Sequence, residues 1–194
     1  YEANAQEGGY VNGVIAALLN ESGTIGMVGP VEAGDAKLYI DGFVKGVADT
    51  NPDAVVNISY TGSFGDTALA AEAANTHISA GADILSGSAQ QVVGAIGVAK
   101  EEGVPWLGTQ SDQTSLAEDL VVANQIYDWT GTIKDMIAKI QDGELGGTAY
   151  IITLENEGLK IVYNDAYDVP DEVKAAADEA EAGIIDGSIT ALSE

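Results

Sequence analysis

Apolar positions along the chain alternate between two rhythms. Val11, Val14, Ile15 and Leu18 recur at helical spacing, and Ile40, Phe43, Val44 and Val47 follow at i, i+3, i+4 and i+7. Between and after these stripes lie short apolar runs bounded by turn formers: Thr24–Gly29 (TIGMVG), Ala54–Tyr60 (AVVNISY), Asp83–Leu85 and Val104–Gly108. Helices are expected over about 66–80 and 90–100. Strand starts near 24, 54, 82 and 104 have the interval of repeated strand–helix–strand units. Such units require a parallel sheet with helices on both faces and right-handed connections.

The rhythm changes in the last third. Leu120–Gln125 reads as a strand, and a helix follows with Ile133, Met136, Ile137 and Ile140 on one face, broken by Gly146-Gly147. Thr148–Leu154, the turn Glu155–Gly158 and Leu159–Tyr163 read as a β-hairpin. Asp168-Val169-Pro170-Asp171-Glu172 is a helix start, with Asp168 as cap, Pro in the first turn and acids favoured by the helix dipole. That helix is expected to run to about Ile185 and stop at Gly187.

Composition narrows what such a chain can do. At 194 residues it holds one domain, or one and part of a second. With 46% hydrophobic residues it can build a core. The net charge is −24, from 31 acids against 7 lysines and no arginine. A basic face for nucleic acid or an anionic membrane surface is missing. Arginine is the usual bidentate partner of phosphate and carboxylate, so the chain's own groups suit a neutral or cationic ligand better than a nucleotide. The acidity itself marks a solvated surface, of a kind adapted to salt. Without cysteine there is no disulfide or thiol chemistry. No stretch reaches the ~20 apolar residues of a membrane span, and no signal peptide is visible. The opening at Tyr1 is read as a mature product or a fragment.

Catalytic machinery is not legible, and the chain is read as a non-enzyme without cofactor or metal. The single histidine, His77, falls on a predicted helix beside Leu69, Ala70, Ala73 and Ala74 and is read as a helix-flank residue without a functional role. Gly62-Ser63-Phe64-Gly65 is not a nucleophile elbow, and Gly26, Gly29 and Gly34 are wrongly spaced for a dinucleotide loop. Asp165, Asp168, Asp171 and Glu172 lack the spacing of a calcium loop.

The strand ends carry a more uniform chemistry. In an open parallel sheet, ligands bind beyond the carboxyl ends of the strands. Those ends read Pro30–Gly34, Thr61–Asp66, Ser86–Gln91, Thr109–Gln113 and Asn124–Trp129. Small residues there allow close backbone approach. Ser, Gln and Asp offer hydrogen bonds, and Phe64, Tyr127 and Trp129 offer flat apolar faces. The same residues are also ordinary turn formers. Taken together, the ends suit a polar, uncharged molecule with a ring: a nucleoside, base or sugar. Gln110 is expected to project toward it, and Asp112 to hold the turn.

Six segments carry a family resemblance: QEGGYVNGVIAALL (Gln6–Leu19), GTIGMVGPVEAG, YTGSFGD, GADILSGSAQ, GTQSDQTSLAED and DVPDEVKAAADEAEAGIIDGSI. In register over essentially the whole chain, they resemble the basic membrane protein family. These are extracytoplasmic lipoproteins that serve ABC transporters as solute-binding proteins, several of them for purine nucleosides or bases. The resemblance implies a type I periplasmic-binding-protein-like α/β fold, with two Rossmann-like lobes closing on a ligand. It also implies an ABC permease as partner and a lipid anchor on an N-terminal part outside this chain. A ligand-sensing domain of a regulator or receptor, or a sugar-binding protein, shares the fold and stays open.

Position by position, the resemblance implies ligand contacts at Phe64, Ser86, Ser88, Gln110, Asp112, Gln125, Tyr127 and Trp129. Gln110 stands where nucleoside binders carry an Asp, Gln125 where a Lys often occurs, and Ser86 where a stacking Phe occurs. It further implies that 1–22 is the last helix of an incomplete first lobe and that 23–125 is the C-terminal ligand-binding lobe. Residues 126–146 would be a hinge and a helix returning toward the first lobe, and 147–194 the hairpin and C-terminal helix.

Overall fold

The computed structural model describes residues 1–192. Its elements run β1 (Glu2–Ala3), α1 (Ala5–Leu19), β2 (Thr24–Gly29), α2 (Gly34–Thr50), β3 (Val55–Tyr60), α3 (Thr67–Ser79), β4 (Leu85–Gly87), α4 (Val92–Glu102), β5 (Trp106–Gln110), β6 (Val121–Tyr127), α5 (Thr130–Gln141), β7 (Ile151–Ile152), β8 (Leu159–Tyr163) and α6 (Asp171–Asp186), with a 3-10 turn at Thr114–Leu116. The main sheet has the order β3-β2-β4-β5-β6-β8. Neighbours from β3 to β6 are parallel, and β8 is antiparallel to β6. The chain winds outward from β2 to β3, then crosses back to β4 on the other side of β2. Winding reverses there, and open α/β sheets form their ligand crevice at such a point.

Two apolar layers sandwich the sheet. On one face α1, α2 and α6 share a core containing Ile15, Ile25, Met27, Tyr39, Ile40, Phe43 and Ala177. On the other, α3 and α4 pack Ala70, Ala74, Ala95 and Ile96 against Val28, Leu85 and Trp106. The periodic positions Ile40, Phe43 and Val47 of α2 are buried, each contributing on the order of 1.5–3 kcal/mol. Helix α1 is buried on most of its circumference rather than along one stripe, with Leu18 exposed. It is part of the core shared with β2 and α2, and no break in packing separates it from them. Gly9 and Gly13 on α1 face Gly42 and Gly46 on α2, and a Cβ at any of the four would strike a carbonyl of the other helix. Glycine at these positions therefore sets how closely the two backbones approach.

Several expectations are corrected. The segments around residues 155–158 do not form a hairpin. β7 instead pairs in parallel with β1, Glu2 opposite Ile151 and Ala3 opposite Ile152, while β8 joins the main sheet at the β6 edge. The turn itself exists, built by Asn156, whose Oδ1 accepts from the amides of Thr153 and Gly158. The two arms leave it for different sheets because each finds a partner distant in sequence. The cap of α6 is Pro170, not Asp168, followed by Asp171 and Glu172 in the first turn, and Gly187 closes the helix in left-handed backbone at φ 80°. His77 lies in the last turn of α3 beside Ala70 and Ala74 as expected, but on the buried face rather than the flank. It is 4% exposed, packed on β2, where a Cβ at Gly26 would meet it.

Helix α5 stands apart. None of its described residues is buried, and Ile133, Ile137 and Ile140 are about half exposed on one face. Beside it an apolar recess of about 280 Å³ is lined by Tyr1, Met136, Ile140, Leu145 and Tyr150. This recess shares no residue with the strand ends. No described helix is long and apolar enough to cross a membrane.

Candidate functional site

Parallel pairing brings the ends of β2 to β6 to one edge of the sheet. Backbone strain collects there. Of three described non-glycine residues with positive φ, Ala89 (72°) follows β4 and Gln110 (73°) ends the adjacent β5. A side chain held in this region costs on the order of 1–3 kcal/mol, and such positions cluster at ligand sites.

The eight expected site residues separate into two groups. Phe64 lies in the loop after β3 and is 53% exposed. Tyr127 and Trp129 are half-buried at the end of β6, and Trp129 meets Tyr1 edge-on at 5.5 Å between ring centroids. Gln110 is half-buried. Asp112 is exposed, and its Oδ1 accepts from the Thr114 amide at 2.9 Å and from Asn124 Nδ2 at 3.3 Å. Ser88 is buried, and its Oγ has no hydrogen-bond partner among the described residues.

Ser86 and Gln125 do not line the edge. Ser86 falls within β4, fully buried, with Oγ donating to the Leu107 carbonyl and bonded to the Tyr39 hydroxyl, both at 2.8 Å. Asn12 Nδ2 extends that network, donating to the Tyr39 hydroxyl at 2.9 Å and to the Gly108 carbonyl at 3.0 Å. Burial pushes the Tyr39 hydroxyl up to about 12. Gln125 lies inside β6, also fully buried. Its Oε1 accepts from Thr109 Oγ1 at 2.7 Å and its Nε2 donates to the Ala5 carbonyl at 3.0 Å. Both ends of the amide are consumed by the protein.

Three residues beyond the expected set shape the edge. Gln113 holds the turn after β5: Oε1 accepts from Trp106 Nε1 at 2.7 Å, Nε2 donates to the Thr109 carbonyl at 3.0 Å, and its amide donates to Asn124 Oδ1 at 3.1 Å. Gln91 is fully buried, with its backbone amide on the Phe64 carbonyl at 2.9 Å and Oε1 accepting from Thr61 Oγ1. Asp35 sits in the first turn of α2, its carboxyl raised by burial and then by Glu2. Tyr127 is raised by burial and then by Asp35, against a smaller lowering influence of the nearby Thr109 hydroxyl. The rim is thus neutral or acidic. Among the described residues no group of three or more His, Cys, Asp or Glu is placed to hold a metal ion. The arrangement offers aromatic faces at two separate strand ends, after β3 and after β6, with hydrogen-bonding groups between them, and no nucleophile paired with a base among the described residues.

A doubly wound sheet whose winding reverses between β2 and β4, with a single antiparallel edge strand, is the fold of a lobe of the periplasmic-binding-protein type. A solute-binding protein from Aeropyrum pernix K1 superposes with a TM-score of 0.84 at 17% identity, over 97% of this chain and 64% of that one. The chain belongs to the Bmp family, described as ABC transporter substrate-binding protein PnrA-like, whose model matches residues 1–191. A purine-binding protein of Brucella abortus is 31% identical across 97% of this chain and 53% of its own length. The nucleoside-binding protein BmpA of Lactococcus lactis, of an ABC transporter, is 29% identical across 97% of this chain and 58% of its own. The chain thus spans a little over half the length of these relatives.

Proposed function

We propose that this chain is the ligand-holding lobe of an extracytoplasmic solute-binding protein that delivers a purine nucleoside or base to an ABC permease. The observation that carries the reading is the family match through every strand end of the carboxyl edge. The chemistry of that edge supports it. Phe64 supplies an open ring face, with Tyr127 and Trp129 across the edge, and Gln110 supplies a neutral amide that donates and accepts. Ser88 completes the set of contacts, and Asp112 holds the turn beside Gln110. The absence of arginine fits a ligand without phosphate. Binding stabilises a closed state in which a second lobe covers the edge. The half-exposed isoleucines of α5 and the recess beside Tyr1 are the surface that second lobe packs against. The family's habit adds a lipid anchor and a place outside the cytoplasm.

The test is a titration of the isotope-labelled protein with inosine, guanosine, adenine, ribose and glucose, followed by amide NMR shifts. Purines are expected to shift signals of Phe64, Gln110 and Trp129. Shifts with ribose or glucose alone would move the reading to a sugar binder. No shift at the carboxyl edge with any of the five would overturn it.

A further inference from the structure

Glu7 is half-buried in the first turn of α1, and its two carboxylate oxygens do different things. Oε1 accepts from Asn4 Nδ2 at 2.8 Å, and Oε2 accepts from the backbone amide of Leu154 at 2.8 Å, 147 residues away. Asn4 follows β1 directly, and Leu154 lies two residues beyond β7. The two strands already run in parallel, with the Glu2 amide on the Tyr150 carbonyl at 2.8 Å and the Asn4 amide on the Ile152 carbonyl at 3.0 Å. A ladder of two residues per strand is too short to hold itself in water. Ala3, Ile152 and Leu154 are buried in the main core, so the ladder is anchored where it enters the lobe, and Glu7 sits at that point.

We infer that Glu7 is a positioning residue, a carboxylate tie that makes β1 and β7 move as one connector. The inference rests on the two-lobe reading above, in which these segments lead toward the second lobe. Two donors, one an amide side chain and one a backbone N–H, converge on one group, and a carboxylate presents an acceptor oxygen to each. The backbone N–H of Leu154 cannot reverse, whereas the Asn4 amide can turn over, so removing the acceptor altogether is what cuts the tie. A tied pair of strands bends as a unit and limits closure to one hinge axis; an untied pair lets each strand twist alone.

Amide hydrogen exchange on the 194-residue chain, without ligand, tests this. Glu7→Ala is expected to speed exchange at Glu2, Asn4 and Leu154 by about tenfold or more, while Gly26 and Leu85 in the main sheet change less than about threefold. Asn4→Ala removes only one arm and should give a smaller acceleration at the same three amides. The double change Asn4→Asp with Glu7→Gln reverses the polarity of the side-chain bond, the amide now donating and the carboxylate accepting, and should restore slow exchange. Asn4→Asp alone sets two carboxylates together and should not. Equal acceleration at all amides would mean that Glu7 is a general stabiliser and would overturn the tie. So would unchanged exchange at Leu154, or a folded double variant that fails to recover. None of these readouts uses a ligand, so the inference stands or falls apart from the purine titration.

Discussion

Gln125 Nε2 donates to the Ala5 carbonyl at 3.0 Å, across 120 residues of sequence. The same side chain occupies the space where Gly8 would carry a Cβ, 2.5 Å from Gln125 Cγ. A strand end and a helix start are thus joined by one amide lodged over one glycine. Gln125→Ala leaves Thr109 Oγ1 without its acceptor and the Ala5 carbonyl without its donor, at a cost of about 1–3 kcal/mol. Gly8→Ala alone forces the glutamine aside and costs a similar amount, about 1–3 kcal/mol. In the Gln125→Ala background the added methyl has room, and its cost should fall by about 1 kcal/mol or more. Urea melts of the four proteins check this; strict additivity would sink it.

Gln110 and Asp112 stand two residues apart and divide their work. Gln110 bears a left-handed φ of 73° that a glycine adopts freely. Gln110→Gly should therefore hold or raise the melting temperature while weakening purine binding by about 1–3 kcal/mol, through loss of the amide. Asp112→Ala frees the Thr114 amide and should lower stability first, by about 1 kcal/mol. Calorimetric titrations paired with thermal melts separate the two. Binding abolished in Asp112→Ala at an unchanged melting temperature would reverse the assignment.

How far the sequence carried depended on how local each feature is. Strand β2 and helix α2 were legible because an unbroken apolar run and an i, i+3, i+4, i+7 stripe need no distant partner. The destinations of β7 and β8 were not, because either arm of that turn could satisfy its backbone only by finding β1 or β6 far along the chain. In the site, small boundary shifts changed roles. Strand β4 is Leu85–Gly87 rather than Asp83–Leu85, which draws Ser86 into the sheet. Strand β6 runs on to Tyr127, which does the same to Gln125. Phe64 and Asp112, placed beyond the ends of β3 and β5, stay in exposed loops. Gln91 and Gln113 carried no pattern of their own; their importance arises from tertiary partners.

His77 is buried against β2, and its Nε2 has no partner among the described residues. Burial pushes its pKa below the ordinary 6.5, outweighing the opposing influence of the nearby Met27 backbone. The unfolded chain then binds a proton that the folded chain resists. Stability is full above about pH 6.5 and falls as the pH drops, with a slope of at most about 1.4 kcal/mol per pH unit from this one group. Below about pH 4, carboxylates with lowered pKa, such as Asp49 and Asp186, add their own loss. His77→Gln should flatten the variant's own stability profile between pH 6.5 and 5, so that the native-minus-variant difference shrinks as the pH falls, leaving purine binding within about twofold. A difference that does not change over that interval would show that the imidazole does not titrate against the fold.

The charge balance sets the response to salt. Lys37, Lys45, Lys139 and Lys160 are each within 4 Å of an acid, three of them at i,i+4 spacing. Such surface pairs contribute about 0–1 kcal/mol each, and salt weakens them. Against them stand 31 acids and a net charge of −24 on 194 residues, so most carboxylates have no lysine to pair with. Repulsion over that surface reaches about 30 Å at 0.01 M salt and about 8 Å at 0.15 M. Screening therefore removes more repulsion than attraction, and the melting temperature should climb by several degrees between about 10 and 300 mM sodium chloride. That interval lies below the concentrations at which salts act mainly through surface exclusion. Sodium chloride and sodium perchlorate should then give parallel curves when compared at equal ionic strength. A melting temperature that stays flat or falls would mean that the lysine pairs outweigh the repulsion. Curves that diverge between the two anions would mean that ion-specific binding, rather than screening, governs stability.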